Sequence, residues 1–304
     1  MQDGKTRVSF DDLAIPFAAE VVDHLRKYPK QGTSESSRFL NTCRSHLNGQ
    51  LGINALHEAT AKLGFVNVVD AFHNVHGEPI PSPFYVRDVA HGGKHLVFTD
   101  KLFKLTESIQ FDNLQPEVEA RWTLVETAWN IEMNPRLLQV CHDREQELLY
   151  LRLNQSSRVD LSSARDALNG YQKGKCFYSF KDVSINNHDA NFCDVDHFFP
   201  HVNRQVHLEQ GQADLNGVWN LVLCDSAINR FEKTAKLPHL RFLERLHNRN
   251  EFYINSKHPL SETIQNLTGN TEGRRRAFLL RQYDIARSTL CPIWAPKEEL
   301  PGTF

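Results

Sequence analysis

Hydrophobic residues recur at helical spacing through most of the first half of the chain. The clearest segment is AIPFAAEVVDHLRKY (14–28), where apolar positions repeat with a helical period and Pro29 follows. EVEARWTLVETAWNI (117–131) shows the same period and stops before Pro135. The same pattern, less regular, is found in SSRFLNTCRSHL and LHEATAKLGFVNVVDAFHNV. These segments predict a mainly helical N-terminal region.

Loops and strands interrupt this helical pattern. HGEPIPSPF (76–84) is predicted as a loop by its prolines, HGGKH (91–95) as a turn, and KHLVFTDKLFKL as either strand or helix. LLQVCHDREQELLYLRL (137–153) alternates on both sides of a polar centre, which predicts a β-hairpin. SSARDALNGYQKGK (162–175) predicts a helix capped by Ser162 or Ser163.

From Cys176 onward the pattern changes to short β-prone segments. CFYSF and KDVSI precede a turn rich in Asn, Asp and His, and FCDVDHFFP follows it, which predicts a hairpin. After a polar loop, VWNLVL leads into a segment with helical spacing. That helix is expected to begin at a cap on Asp225 or Ser226, to run to about Lys236 and to end before Pro238. The predicted order is strand, strand, loop, helix.

These patterns predict an α+β protein with two domains. The first, residues 1–160, is mainly helical and includes the hairpin near 137–153. The second, residues 161–304, contains the short strands, the helix after them and further C-terminal helices. With 304 residues, 40% apolar and 24% charged, the chain has the size and composition of a folded globular protein.

Two features of composition bear on where the protein acts. The first thirty residues lack the layout of a secretory signal, and no apolar run reaches the roughly 18 residues that a membrane helix needs. We therefore expect a cytoplasmic protein without membrane insertion. The six cysteines are scattered along the chain, which favours reduced thiols over a disulfide framework.

Charge is unevenly distributed, although the net charge is only −2. Residues 230–290 carry twelve Lys or Arg against six Asp or Glu, whereas residues 1–170 carry eighteen against twenty-two. A polyanion would therefore meet the C-terminal third first. On charge alone, a solvated basic face without a partner is an equal alternative.

The stretch DVDHFFP places a carboxylate, Asp196, directly before an imidazole, His197, and Asn220 and Asn229 follow in WNLVL and INR. Phosphodiester hydrolysis needs an activated water and a hard cation on the phosphate. Carboxylate and amide oxygens suit Mg²⁺ or Mn²⁺, and histidine can accept a proton near neutral pH. Adjacent strand residues face opposite sides, so the strand has to twist or end near Pro200 for both to reach one phosphate.

Together, the elements in residues 175–238 resemble the HNH nucleases of the ββα-metal superfamily, which include homing endonucleases and the HNH domain of CRISPR effector nucleases. The resemblance implies that Asp196 is a metal ligand, His197 the general base and Asn229 the second metal ligand. Asn220 matches the middle residue of the motif, where we expect it to tie the long loop to the hairpin. The chain would then be an HNN variant and an Mg²⁺- or Mn²⁺-dependent endonuclease acting on DNA.

One part of the family pattern is absent. Many HNH domains hold a structural zinc with two CxxC pairs, but here those places read CFYS and Asp225 with Ile228, so only Cys176 matches. We therefore expect no four-cysteine zinc site, and buried free thiols are favoured over an irregular site of Cys176, Cys193, Cys224 and a histidine. The hairpin then depends on packing, for which the candidates are Phe177, Tyr178, Phe192 and Trp219.

Basic residues on two predicted helices complete the expected site. Once a nuclease is considered, they are candidates for binding phosphates of duplex DNA, with a solvated basic face as the alternative. The candidate nucleic-acid-binding residues are Arg230, Lys233, Arg274, Arg275 and Arg276.

Other functions stay open on the sequence. An inactive HNH scaffold could bind nucleic acid or assemble with proteins, and an RNase could use the same residues. A helical region fused to an HNH domain also resembles accessory nucleases of bacterial anti-phage systems such as Zorya, which implies protein partners in a defence complex. A restriction or mobile-element enzyme is the alternative setting.

Overall fold

The computed structural model describes residues 6–32, 36–66, 68–75, 77–107, 111–130, 140–143, 145–146, 148–152, 158–256, 258–289 and 291–304. The chain divides into two compact units, Met1–Phe111 and Asp112–Phe304. Both units contain helices and strands, so the α+β class is confirmed. The sequence placed the division near residue 160, whereas the segment between 112 and 160 groups with the second unit.

The first unit combines helices with a small antiparallel sheet. Its helices are α1 (Phe10–Lys27), α2 (Arg38–Leu47), α3 (Ile53–Leu63), α4 (Val68–Ala71) and α5 (Asp100–Thr106). Its strands are β1 (Arg7–Ser9), β2 (Asn74–Val75), β3 (Glu78–Pro79), β4 (Tyr85–Arg87) and β5 (His95–Phe98). β5 lies between β1 and β4 and is antiparallel to both, and β2 pairs with β3.

Local signals explain where the first-unit helices begin and end. α1 begins before the predicted start because Ser9 and Asp12 form a capping box, in which the backbone N–H of Asp12 donates to Ser9 Oγ at 3.0 Å. The helix predicted over 56–75 is instead α3 and α4. Gly64 follows α3, and a Cβ at this position would lie 2.9 Å from the carbonyl oxygen of Thr60. The ambiguous segment after residue 93 contains both β5 and α5.

The second unit contains the predicted motif. Its helices are α6 (Phe111–Asn130), α7 (Ala164–Gln172), α8 (Arg204–Val206), α9 (Arg241–Asn255), α10 (Ser261–Thr268) and α11 (Glu272–Ser288). Single 3-10 turns lie at His201–Asn203 and Val218–Asn220, and π-helical segments at His207–Gly211 and Ile228–Lys233. Its strands are β6 (Val140–Asp143), β7 (Leu148–Arg152), β8 (Arg158–Ser163), β9 (Cys193–His197), β10 (Leu221–Asp225), β11 (Leu237–Pro238) and β12 (Ile293–Trp294).

Three strand arrangements occur in this unit. β7 lies between β6 and β8, antiparallel to both, which confirms the hairpin predicted over 137–153; residues 137–139, 144, 147 and 153 of that prediction lie outside the described residues. β9 and β10 are antiparallel, and β11 and β12 are parallel. α7 confirms the helix predicted over 162–175, but the side chains of its proposed caps, Ser162 and Ser163, lie outside the described set.

The hairpin predicted between CFYSF-KDVSI and FCDVDHFFP is wrong. β9 pairs with β10, with Asp196 opposite Val222 and Asp194 opposite Cys224. The earlier segment contributes only isolated bridges, and the hydroxyl of Ser184 donates to Asp189 across a turn. The error is one of partner choice, because strand propensity does not identify the partner when a loop of more than twenty residues intervenes.

The hydrophobic core of the second unit surrounds β9 and β10. Phe177, Tyr178 and Trp219, which the sequence predicted as packing residues, are fully buried there. Phe192 is only partly buried, and the guanidinium of Arg165 lies 4.1 Å from the centre of its ring. Within the described ranges, no helix has both the length and the apolar character needed to cross a membrane.

Candidate active site

Two antiparallel strands and a short helix carry the four motif residues. β9 ends at Asp196 and His197, the segment Val218–Asn220 leads into β10, and the helix after β10 carries Asn229. Asp225 caps this helix, because its Oδ1 accepts the backbone N–H groups of Ala227 and Ile228 at 2.9 and 3.1 Å.

The motif helix ends earlier than predicted. Its π-type hydrogen bonding stops at Lys233, and Thr234 has a positive φ of 48°, so the helix does not continue to Lys236. Side chains at Ser226, Asn229, Arg230 and Lys233 reach the β9 carboxylates. One face of this short helix therefore lies against β9.

Asp194, which the sequence analysis did not single out, lies at the centre of these contacts. Its carboxylate accepts two hydrogen bonds from Arg230, at 2.7 and 2.8 Å, one from Ser226 at 2.8 Å and one from Asn229 at 3.2 Å. Burial opposes its ionisation, but these donors outweigh burial, so the pKa of Asp194 lies below its usual range. Asp194 is two residues before Asp196, so strand alternation could have identified it.

Asp196 lies on the same face of β9 and has different partners. Its Oδ1 accepts from the Lys233 ammonium at 3.0 Å, and its Oδ2 accepts from the Tyr178 hydroxyl at 2.7 Å. Asp196 is only 5% exposed and Lys233 is fully buried. Burial raises the pKa of Asp196 above its usual value, and the ammonium and the hydroxyl offset only part of this effect.

His197 projects from β9 among other histidines. Its ring centre lies 5.4 Å from that of His142 on β6 and 5.4 Å from that of His201, which follows Pro200. His197 is 6% exposed and His142 is 3% exposed. No sequence pattern associates His142 with the motif, because it belongs to a separate sheet.

Asn220 ties the loop between β9 and β10 together. Its Oδ1 accepts the backbone N–H of Phe199 at 2.9 Å, and its Nδ2 donates to the carbonyl oxygen of Leu215 at 2.9 Å. Its backbone carbonyl also accepts the N–H of Phe198 at 2.8 Å. These bonds tie the loop to the end of β9, which pairs with β10 and not with the segment predicted from the sequence, and they fix the backbone directly after His197.

The oxygen atoms at this site are of the chemical kind that hard cations such as Mg²⁺ prefer as ligands. Asp194 and Asp196 share one face of β9, and the Asn229 amide contacts Asp194. Mg²⁺ retains several waters and needs only one or two protein carboxylates together with substrate phosphate. Arg230 and Lys233 already neutralise both carboxylates, so a divalent cation would have to displace one of them. Among the described residues, no group of three or more His, Cys, Asp or Glu side chains is arranged to hold a metal.

The thiols near the motif form a pair. Cys176 Sγ and Cys224 Sγ lie 3.9 Å apart, and both residues are fully buried. The two thiols are coupled: burial opposes ionisation of Cys176, but its hydrogen bonds with Cys224, the Asp225 backbone and Ser179 outweigh burial and lower its pKa, whereas burial raises the pKa of Cys224. Cys193 is also buried, and burial raises its pKa to about 12.

The arginines at the start of α11 have unequal environments. Arg275 is 6% exposed and forms two hydrogen bonds with Glu251, at 2.5 and 2.6 Å. Arg276 forms two bonds with Glu244, both at 2.7 Å. Arg274 is exposed, and no carboxylate among the described residues pairs with it. Arg274 is therefore the member of this triplet most available to a phosphate.

The chain was compared with models of protein families, with curated proteins and with solved structures, and none of these comparisons produced a match.

Proposed function

We propose that this chain is a metal-dependent endonuclease of the HNH type, which hydrolyses phosphodiester bonds of duplex DNA in the cytoplasm. The observation that carries the proposal is the β9–β10 pair with its following helix, in which Asp196, His197, Asn220 and Asn229 stand in the order of the HNN motif. Asn220 supports this assignment because its amide holds the backbone beside His197.

The chain's own residues divide the work as follows. His197 accepts the proton of the attacking water, and Asn220 keeps the end of β9 in place. Asp194, Asp196 and Asn229 are the oxygen donors that would hold Mg²⁺ or Mn²⁺. When bound, such a cation supplies positive charge beside the scissile phosphate. Arg274 is the exposed cation for contacts with the DNA backbone, whereas Arg230 is also exposed but its guanidinium is paired with Asp194.

The test is cleavage of supercoiled plasmid by the wild type, His197→Ala and the control His188→Ala, which changes an exposed turn histidine. Each protein is incubated with Mg²⁺, with Mn²⁺ and with chelator. We expect relaxed or linear product from the wild type and the control, only with metal, and none from His197→Ala. Activity retained in His197→Ala, or in chelator, would overturn the site, and cleavage of RNA alone would make the enzyme an RNase.

One observation favours a second function, a catalytically silent module that binds nucleic acid or assembles with proteins. The chain's own cations, the exposed Arg230 and the buried Lys233, already pair with both carboxylates of the site. Titration with Mn²⁺, followed by calorimetry, separates the two functions. The nuclease proposal expects binding that is lost in Asp194→Asn and strengthened roughly threefold to tenfold in Arg230→Gln, which removes a competing charge. No binding by either wild type or Arg230→Gln favours the silent module.

For the biological setting we propose anti-phage defence together with partner proteins, which rests on the HNH assignment. The test is phage plating on bacteria that express the chain with its neighbouring genes. Fewer plaques with the wild type than with His197→Ala support this setting. Equal plaque numbers for both contradict it.

A further inference from the structure

We propose that His142, on β6, is a positioning residue that holds the imidazole of His197 in its working orientation. This inference rests on the proposed nuclease function, because it assigns a further residue to the same reaction. His142 precedes the ββα unit by about fifty residues and belongs to another sheet. It is therefore a feature of this chain that the HNH motif does not contain.

Strand pairing and hydrogen bonds already fix the backbone around His197. Leu221 lies opposite it in β10, and Lys233 Nζ donates to its carbonyl oxygen at 2.9 Å. The next residue, Phe198, donates its N–H to the carbonyl oxygen of Asn220 at 2.8 Å. The orientation of the His197 side chain is set by the contacts of its ring, and the ring of His142 is one of them.

The ring of His142 lies against this ring. The two ring centres are 5.4 Å apart, with 47° between the planes, and His201 lies on the imidazole of His197 at the same centre distance with a 64° angle. His201 is half-buried on the turn after Pro200, whereas His142 is almost wholly buried. His142, His197 and His201 thus form a row of three rings. The buried His142 is a fixed wall on one side of His197, and the half-buried His201 is the partly open side.

The position of His142 is itself tied to the loop that Asn220 holds. The backbone N–H of His142 donates to the carbonyl oxygen of Asn216 at 3.0 Å, and Cys141 bridges to Gly217. The neighbouring carbonyl, that of Leu215, accepts from the Asn220 amide. The turn at residues 214–217 thus contacts both β6, which carries His142, and the Asn220 side chain that binds the end of β9. The two strands are therefore fixed relative to each other.

The contact between the rings of His142 and His197 bears on the reaction itself. Misplacement of a catalytic group by about 1 Å lowers rates by as much as roughly 100-fold, so a rigid wall beside the base has a direct effect on catalysis. The geometry assigns that wall to His142.

The experiment uses the full-length chain with His142→Phe, which keeps an aromatic ring, and His142→Gln, which keeps a polar side chain. His258→Gln is the matched control, because His258 is equally buried, 2% exposed, and contacts Tyr253 rather than the histidine row. Plasmid cleavage gives kcat and KM for each protein. Nitrogen-15 spectra of the imidazole rings report the environment and tautomer of His197 without reference to activity.

We expect both His142 variants to lower kcat by about 10- to 100-fold with KM nearly unchanged, and to shift the ring signals of His197. The control should leave both quantities unchanged. Wild-type kcat in both His142 variants, with His197→Ala inactive, overturns the inference and leaves the nuclease proposal intact. If the wild type cleaves nothing, the nuclease proposal fails. In that event, unshifted His197 signals in the His142 variants overturn the positioning role separately.

Discussion

Lys233 and Asp196 form an ion pair, 3.0 Å from Nζ to Oδ1, in which the side chains are 0% and 6% exposed. The same ammonium donates to the carbonyl oxygen of His197 at 2.9 Å. A single residue of the motif helix therefore joins the proposed metal ligand to the proposed base. It also connects the helix to the last two residues of β9.

Loss of Lys233 is expected to destabilise the second unit. Lys233→Met leaves a buried carboxylate without its cation, which costs about 3–5 kcal/mol of unfolding free energy. The measurement is urea denaturation followed by circular dichroism. Lys181→Met is the control, since Lys181 pairs with Glu298 at the surface and its loss should leave the urea midpoint unchanged. Equal midpoints for both variants would show that the buried pair contributes nothing.

Asn220→Ala should lower stability through unpaired backbone groups. The substitution removes the acceptor of the Phe199 N–H and the donor to the Leu215 carbonyl, both in a fully buried place. We expect a loss of about 2–4 kcal/mol in urea denaturation, with DNA cleavage reduced as well. Asn216→Ala is the control, because its side chain is only half-buried. A loss below that of the control contradicts the role of Asn220 as the tie of the loop.

Three neighbouring arginines are expected to behave differently toward DNA. Arg274→Ala should weaken duplex binding and reduce the salt slope by about 1, because its exposed side chain can contact one phosphate. Arg276→Ala should have a smaller effect on binding, since Glu244 holds its guanidinium. Arg275→Ala should lower stability instead, because it removes the guanidinium that pairs with the half-buried Glu251. Fluorescence anisotropy over a series of salt concentrations measures DNA binding by Arg274→Ala and Arg276→Ala, and urea denaturation measures the stability of Arg275→Ala. Unchanged affinity in Arg274→Ala would show that the start of α11 does not bind DNA.

His258 should make the protein sensitive to acid. Burial, assisted by Arg121 and Arg249, lowers the pKa of His258 from 6.5 to about 3, and its Nδ1 accepts the N–H of Leu260 at 3.1 Å, which requires a neutral ring. The unfolded chain binds this proton below its ordinary pKa, whereas the folded chain does not. The contribution of His258 to the free energy of unfolding is therefore fully present above about pH 6.5. It decreases as the pH falls toward 3, by at most about 1.4 kcal/mol per pH unit.

The measurement is the free energy of unfolding between pH 7 and pH 4.5 for the wild type and His258→Gln. Glutamine can still accept the Leu260 N–H but does not titrate. The free energy of unfolding of His258→Gln should therefore decrease less steeply with acid than that of the wild type. His188→Gln, at an exposed turn, should retain the wild-type slope. A steep slope that persists in His258→Gln assigns the acid sensitivity to other groups.

The proposed site could be read from the sequence only where its residues lie close together along the chain. Asp196 and His197 are adjacent, and Asn220 and Asn229 follow in a recognisable order. Asp194 could have been found by strand alternation. His142 could not, because nothing in its neighbourhood indicates that β6 lies beside the end of β9.

The sequence by itself determined the elements whose causes are local. Helical periodicity placed α1 and α6, alternation placed the β6–β7 hairpin, and a cap at Asp225 or Ser226 predicted the start of the motif helix. Only the tertiary structure decided that β9 pairs with β10 and that Lys233 neutralises Asp196. Periodicity and capping act within a few residues, whereas strand partners and the burial of a charge depend on contacts between distant segments that no local pattern specifies.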